Sequence, residues 1–154
     1  MIRNLIANQP ENRRMLIKRK HEKALLDKLG KFLHIHTPDA QFSRCCEIMK
    51  ILAMHVESRS YLFKSGILET LQQLTTLKIK AARVTDVLLI LINYSNTRDG
   101  QLVLLSCGIV DTIIHMESHQ EMNLLLFQLM RHLAVSRESK TYFLSNGMID
   151  NYSR

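Results

Sequence analysis

The sequence has no tryptophan, only five glycines and only two prolines, Pro10 and Pro38, in 154 residues. Folds made of many short strands need frequent Gly and Pro turns, so this scarcity argues for helices. Long apolar runs are missing as well. The longest, Val87 to Ile92, falls far short of the roughly 20 residues that span a bilayer. No signal-peptide layout is present, because Arg13, Arg14, Lys18, Arg19 and Lys20 stand where its apolar segment would lie. Cysteine is scarce too: Cys45, Cys46 and Cys107 are odd in number, two are adjacent, and no CxxC occurs. That excludes a disulfide framework and suits a reducing compartment, with thiols acting as small core residues. Catalytic signatures are also absent. There is no GxSxG, P-loop, HExxH or glycine-rich dinucleotide turn, so the expectation is a non-enzyme with no cofactor and no metal.

What remains is a globular balance, 46% hydrophobic and 23% charged. The formal charge of +7 is uneven. Residues 1–36 carry nine Lys/Arg against three acids, and the rest twelve against eleven. The chain is therefore close to neutral with one basic end.

A repeat organises it. The stretch Leu52-Ala53-x-x-x-Glu57-Ser58-Arg59-Ser60-Tyr61-Leu62-Phe63-x-x-Gly66-Ile67-Leu68-Glu69 matches Leu133-Ala134-x-x-x-Glu138-Ser139-Lys140-Thr141-Tyr142-Phe143-Leu144-x-x-Gly147-Met148-Ile149-Asp150 without gaps. The two glycines are 81 residues apart, two units of about 40. Midway lies Leu104-Leu105-Ser106-Cys107-Gly108-Ile109-Val110-Asp111. A weaker copy, Ile6 to Ile17, precedes them with Lys20 in place of the glycine. Gly66, Gly108 and Gly147 are expected at sharp left-handed turns between two short helices. Ser106-Cys107-Gly108 is thus a turn and not a nucleophile motif.

Each unit reads as three helices, the third long and apolar. In the first unit that third helix is expected over residues 38–56, started by a Thr37 cap, Pro38 at the first helical position and Asp39 in the first turn. The second unit reads as helices over 57–65, 67–77 and 78–94, and the third ends in a helix over 120–135. The expected units are 10–56, 57–95, 96–135 and a partial 136–154, with 1–9 closing a preceding helix. The expectation is one all-α domain excised from a longer array. Its open ends would invite a partner or a dimer.

The glycine turns, followed by a leucine-rich helix ending in Leu91-Ile92-Asn93-Tyr94-Ser95, resemble the armadillo repeat. This resemblance implies a right-handed superhelical armadillo/HEAT-like solenoid that binds a partner peptide or helix on its concave face. The family's late asparagine is matched by Asn93, but Met54 and Val135 fall at the equivalent positions. That counts against a transport-receptor-like peptide groove with an asparagine ladder. The region Arg83 to Met116 also resembles the rotatin family of centriole-assembly proteins. That resemblance implies a cytoplasmic scaffold at the centrosome or basal body of a cilium, with protein partners.

Two surfaces are singled out. Aligning the third helices gives a groove stripe of Arg44, Glu47, Ile51 and Met54, then Arg83, Asp86, Ile90 and Asn93, then Leu125, Gln128, His132 and Val135. The plainer explanation is that Arg44 pairs with Glu47 or Asp86 merely to solvate the face. The basic patch of Arg13, Arg14, Lys18, Arg19, Lys20 and Lys23 offers a site for an acidic protein segment, nucleic acid or another acidic polymer. No aromatic residues interleave it, so base stacking is not expected, and a solvated basic face explains it equally well. His34, His36, Cys45 and Cys46, and the pair His115 and His119, match no zinc spacing.

Overall fold

The computed structural model describes residues 22–77, 79–114 and 120–145, together with Glu11. Every regular element among these residues is an α-helix. In chain order they are α1 (Glu22–Phe32), α2 (Asp39–Met54), α3 (Val56–Lys64), α4 (Ile67–Thr76), α5 (Ala81–Tyr94), α6 (Arg98–Ser106), α7 (Ile109–Ile114), α8 (Gln120–Leu133) and α9 (Arg137–Ser145). No helix is long and apolar enough to cross a membrane among the described residues.

The packing repeats every three helices. The long helices form one row, α2 against α5 and α5 against α8. α1 packs on α4 and α4 on α7, while α6 packs on α9. This explains the composition of α5. It has a neighbour on each flank, so Val84, Val87, Leu88, Ile90, Leu91 and Ile92 are all buried. A helix enclosed on three sides is apolar nearly all round.

The short helices are joined by left-handed glycines. Gly66 (φ 74°) turns α3 into α4, and Gly108 (φ 71°) turns α6 into α7. A side chain at such a φ costs roughly 1 kcal/mol or more. Gly147 lies outside the described residues. The start of the first helix is capped alike in α6 and α9, though not in α3, whose N-cap His55 makes no side-chain bond. Thr97 Oγ1 accepts from the Gly100 N–H at 3.3 Å at the head of α6, and Ser136 Oγ from the Ser139 N–H at 3.1 Å at the head of α9. Each satisfies a helical N–H that has no partner within its own helix.

Several boundaries differ from the sequence reading by one to three residues, and three of them concern the ends of α2 and the start of α5. α2 begins at Asp39 with Pro38 as its extended N-cap (ψ 139°), and no side chain caps it. Thr37 stands one residue before the N-cap, and its carbonyl accepts from Arg83. α2 stops at Met54, since His55 is extended (φ −104°, ψ 128°) and α3 starts at once. The carbonyls left open there are taken by Arg59 (Nε to Ala53 O 2.7 Å, Nη2 to Met54 O 3.3 Å), which made the break hard to see in the apolar pattern. α5 starts at Ala81 rather than residue 78, after an extended Lys80 (ψ 141°).

Candidate functional site

The row of α2, α5 and α8 leaves one face partly open. On α5 this face carries Ala82, Asp86, Leu89 and Asn93, with Ala81 and Thr85 also accessible beside it. The repeat register puts Ser43, Glu47, Lys50 and Met54 at these places on α2. On α8 and just beyond they are Leu124, Gln128, Arg131 and Val135. All are exposed or half-buried.

This face shares Glu47, Met54, Asp86, Asn93, Gln128 and Val135 with the expected stripe, and its other positions lie one residue earlier. Arg83 and Ile90, both expected in the groove, are 8% and 1% exposed. Ile90 is core. Its neighbour Leu89 holds the open position. Aligning repeats fixes which residues are equivalent but not which of two adjacent ones faces outward, and adjacent residues on a helix point about 100° apart. Glu47, Asp86, Asn93 and Gln128 lie on the observed face. Arg44 is exposed, and Ile51 and His132 are half-buried. Ile51 and His132 stand one place from Lys50 and Arg131.

Arg83 has a different task. Its Nε and Nη2 donate to Asp39 Oδ1 at 2.9 and 2.7 Å, and its Nη1 donates to His34 O at 3.2 Å and Ile35 O at 2.9 Å. Nη2 also donates to Thr37 O. The guanidinium carbon sits 4.6 Å from the centroid of the Phe42 ring. All five N–H donors are thus consumed in tying α5 to the α1–α2 connection. A surface cavity of about 370 Å³ beside it, lined by His36, Pro38, Ile79 and Lys80 among others, therefore meets no free guanidinium donor. Lys80 Nζ reaches Asp39 Oδ2 at 2.5 Å. The Lys80 and Arg83 hydrogen bonds hold the Asp39 carboxyl below its ordinary value.

Charge crosses the face in one place. Lys50 Nζ lies 3.0 Å from Asp86 Oδ1, so Asp86 pairs with Lys50 across two helices and not with Arg44. Asn93 Nδ2 donates to Lys50 O at 3.2 Å, which commits the side chain to bracing α5 on α2. Toward α8 the face becomes apolar and basic. Leu124 and Val135 are each 72% exposed, and Arg131 lies between them. His132 Nδ1 sits 3.1 Å from Ser95 Oγ and helps join α8 to the end of α5.

No protein-family model and no curated protein matches this chain.

The remaining candidates fall elsewhere. Arg13, Arg14, Lys18, Arg19 and Lys20 of the basic patch lie outside the described residues, as does the side chain of Lys23. So do His115 and His119. Cys45 Sγ donates to Leu29 O at 3.2 Å, and burial pushes its thiol up to about 12. Burial raises the Cys46 thiol too. His34 and His36 place their rings 5.2 Å apart. Among the described residues no group of three metal-ligating side chains gathers.

Sequence reasoning missed Arg59 and Gln101. Both are buried and stand at one repeat position. Arg59 bonds Ala53 O, Met54 O, Asn93 O (3.2 Å) and Thr97 Oγ1 (2.6 Å), and Gln101 Nε2 donates to Ser95 O at 3.0 Å. Each satisfies carbonyls at the end of a long helix, where a donor is needed and a cation is favoured. The signal was available: a long polar side chain recurs at the same place in two apolar repeats.

Proposed function

We propose that this chain is a non-catalytic protein-interaction module. In this reading it is an armadillo-like right-handed helical array that holds a partner segment or helix across the face of α2, α5 and α8. One observation carries the reading. The same four register positions stay open on three successive long helices, while most of the rest of α5 (Arg83, Val84, Val87, Leu88, Ile90, Leu91, Ile92 and Tyr94) is buried. A continuous face of repeated positions is how stacked helical units present a binding surface. Its chemistry grades from paired charge at Lys50 and Asp86 to apolar and basic at Leu124, Arg131 and Val135. An amphipathic or extended partner with apolar and acidic side chains matches that grading. Placement in a centriole or centrosome assembly is part of the proposal and rests on the sequence resemblance alone.

The test is affinity purification with quantitative mass spectrometry, comparing the chain with Leu89→Arg. Leu89 is half-buried on the open face, so the exchange alters the surface and spares the core. Specific loss of a set of proteins with Leu89→Arg, at unchanged melting temperature, is the expected result. An unchanged partner set would end the proposal. Centriolar proteins in the lost set would support the placement, and their absence from it would remove it. Arg83→Glu is no substitute, because it breaks the bonds that tie α5 to the α1–α2 connection.

A further inference from the structure

The geometry points to Thr37 as a phosphorylation site for a kinase that reads the following proline, with Lys80 taking the added phosphate. This stands apart from the open face of α2, α5 and α8. Thr37-Pro38 is the one Ser/Thr-Pro pair in the chain, since Pro10 follows Gln9. It lies in the α1–α2 connection, outside any helix. Pro38 is exposed and extended (φ −55°, ψ 139°), and a residue before proline is held extended as well. A kinase groove that offers no acceptor for the next main-chain N–H selects proline there, because proline has none. The Thr37 main chain is anchored: its N–H donates to His34 O at 3.0 Å, and its carbonyl accepts from Arg83. Its hydroxyl makes no hydrogen bond among the described residues. Thr70, Thr75, Thr76, Thr112 and Thr141 instead commit theirs to main-chain carbonyls.

The surroundings suit a phosphate. Thr37 lines the surface cavity of about 370 Å³ together with Lys80 and Arg83, and the cations there outnumber Asp39, the one acid on its wall. Arg83 has no donor left, but Lys80 is 72% exposed and holds Asp39 through a single contact at 2.5 Å. An ammonium has further N–H groups, so Lys80 can bond a second anion. Transfer moves the γ-phosphoryl group of MgATP to Thr37 Oγ1. The new O–P bond forms as the bond to ADP breaks, and the hydroxyl proton leaves through the kinase's base. The product carries roughly 1.5 to 2 negative charges at neutral pH. Lys80 is the N-cap of α5, so its pairing with that phosphate adds a tie between the α4–α5 and α1–α2 connections. Arg83 keeps Asp39 in place against the new charge.

The probe is the full chain with MgATP and a purified proline-directed kinase, read by intact mass and phosphopeptide mapping. A single phosphoryl group on Thr37 is expected, lost in Thr37→Val and formed at least about tenfold more slowly in Pro38→Ala. A folded chain left unmodified overturns the inference, and so does modification that persists in Thr37→Val. Lys80→Ala, which changes an exposed side chain, tests where the phosphate goes. Phosphorylation should shift the melting temperature about 2 °C less favourably in Lys80→Ala than in the parent chain. Equal shifts would remove Lys80 as the phosphate's partner and overturn that part of the inference.

Discussion

The Tyr94 hydroxyl donates to the main-chain carbonyl of Arg59 at 2.9 Å, and the Arg59 guanidinium returns a bond to the carbonyl of Asn93, the residue before Tyr94, at 3.2 Å. Arg59 also reaches the carbonyls ending α2, so this pair knots together α2, α3 and α5 at their junction. The two partners are not equivalent. Tyr94→Phe keeps the ring and removes one hydrogen bond, a loss of about 1 kcal/mol. Arg59→Met leaves several helix-end carbonyls without a donor in a buried place and should cost about 3 kcal/mol or more. Urea unfolding of both variants measures the difference. Equal losses would show that the guanidinium bonds contribute little.

Gly100 and Gly30 should respond in opposite directions to alanine. In a helix interior, Gly→Ala normally stabilises by about 0.5–1 kcal/mol. Gly30 in α1 has room, since a Cβ there meets nothing closer than Ile67 Cγ1 at 4.0 Å. Gly100 in α6 has none: its Cβ would fall 1.9 Å from the Tyr94 carbonyl oxygen. Backbone must move to admit it, which costs about 1–3 kcal/mol and reverses the sign. Thermal unfolding should raise the melting temperature of Gly30→Ala and lower that of Gly100→Ala.

The phase of the open face is testable with two adjacent residues. Ile90→Arg buries a charge in the core and should abolish cooperative unfolding or reduce stability by several kcal/mol. Leu89→Arg places it on the half-open face and should cost under about 1 kcal/mol. Circular dichroism melts of the two variants decide it. The reverse order would restore the expected stripe.

Asp39 gives the fold a defined acid sensitivity. Its carboxyl is held below its ordinary value of 3.8, chiefly by hydrogen bonds from Lys80 and then Arg83. A group whose pKa is lowered by folding adds stability above its unfolded pKa. That stability is lost as pH falls through the folded value. The melting temperature should therefore drop below about pH 4, and Asp39→Asn should start lower at neutral pH and fall less steeply in that window. Parallel curves for the two proteins would remove Asp39 from the account. Glu138 acts in the same direction, through its own backbone N–H and Arg98, and contributes to the residual slope.

Much of the helix plan was legible because it depends on local chemistry. The apolar period marked α5 and α8 closely, and Gly66 and Gly108 announced turns that a side chain disfavours. The ends of helices were less legible. Thr37 offered a capping hydroxyl, yet the helix takes Pro38 as its N-cap, and Arg83, 46 residues along the chain, bonds the Thr37 carbonyl. Of the residues expected in the groove, Glu47, Met54, Asp86, Asn93, Gln128 and Val135 are accessible, whereas Arg83 and Ile90 are buried and were placed there because both lie at repeating positions.

The sequence by itself determined that the described chain is helical and where its glycine turns fall, since backbone strain and apolar spacing act within a few residues. Only the tertiary structure decided which side of each long helix is open. That choice depends on which neighbours cover α2, α5 and α8, and no single helix contains the information. The same holds for Arg59 and Arg83. As single letters in a chain they read as surface charges. Packing encloses both and gives their N–H groups to the main chain, because carbonyls at helix ends and in connections require donors once water is excluded.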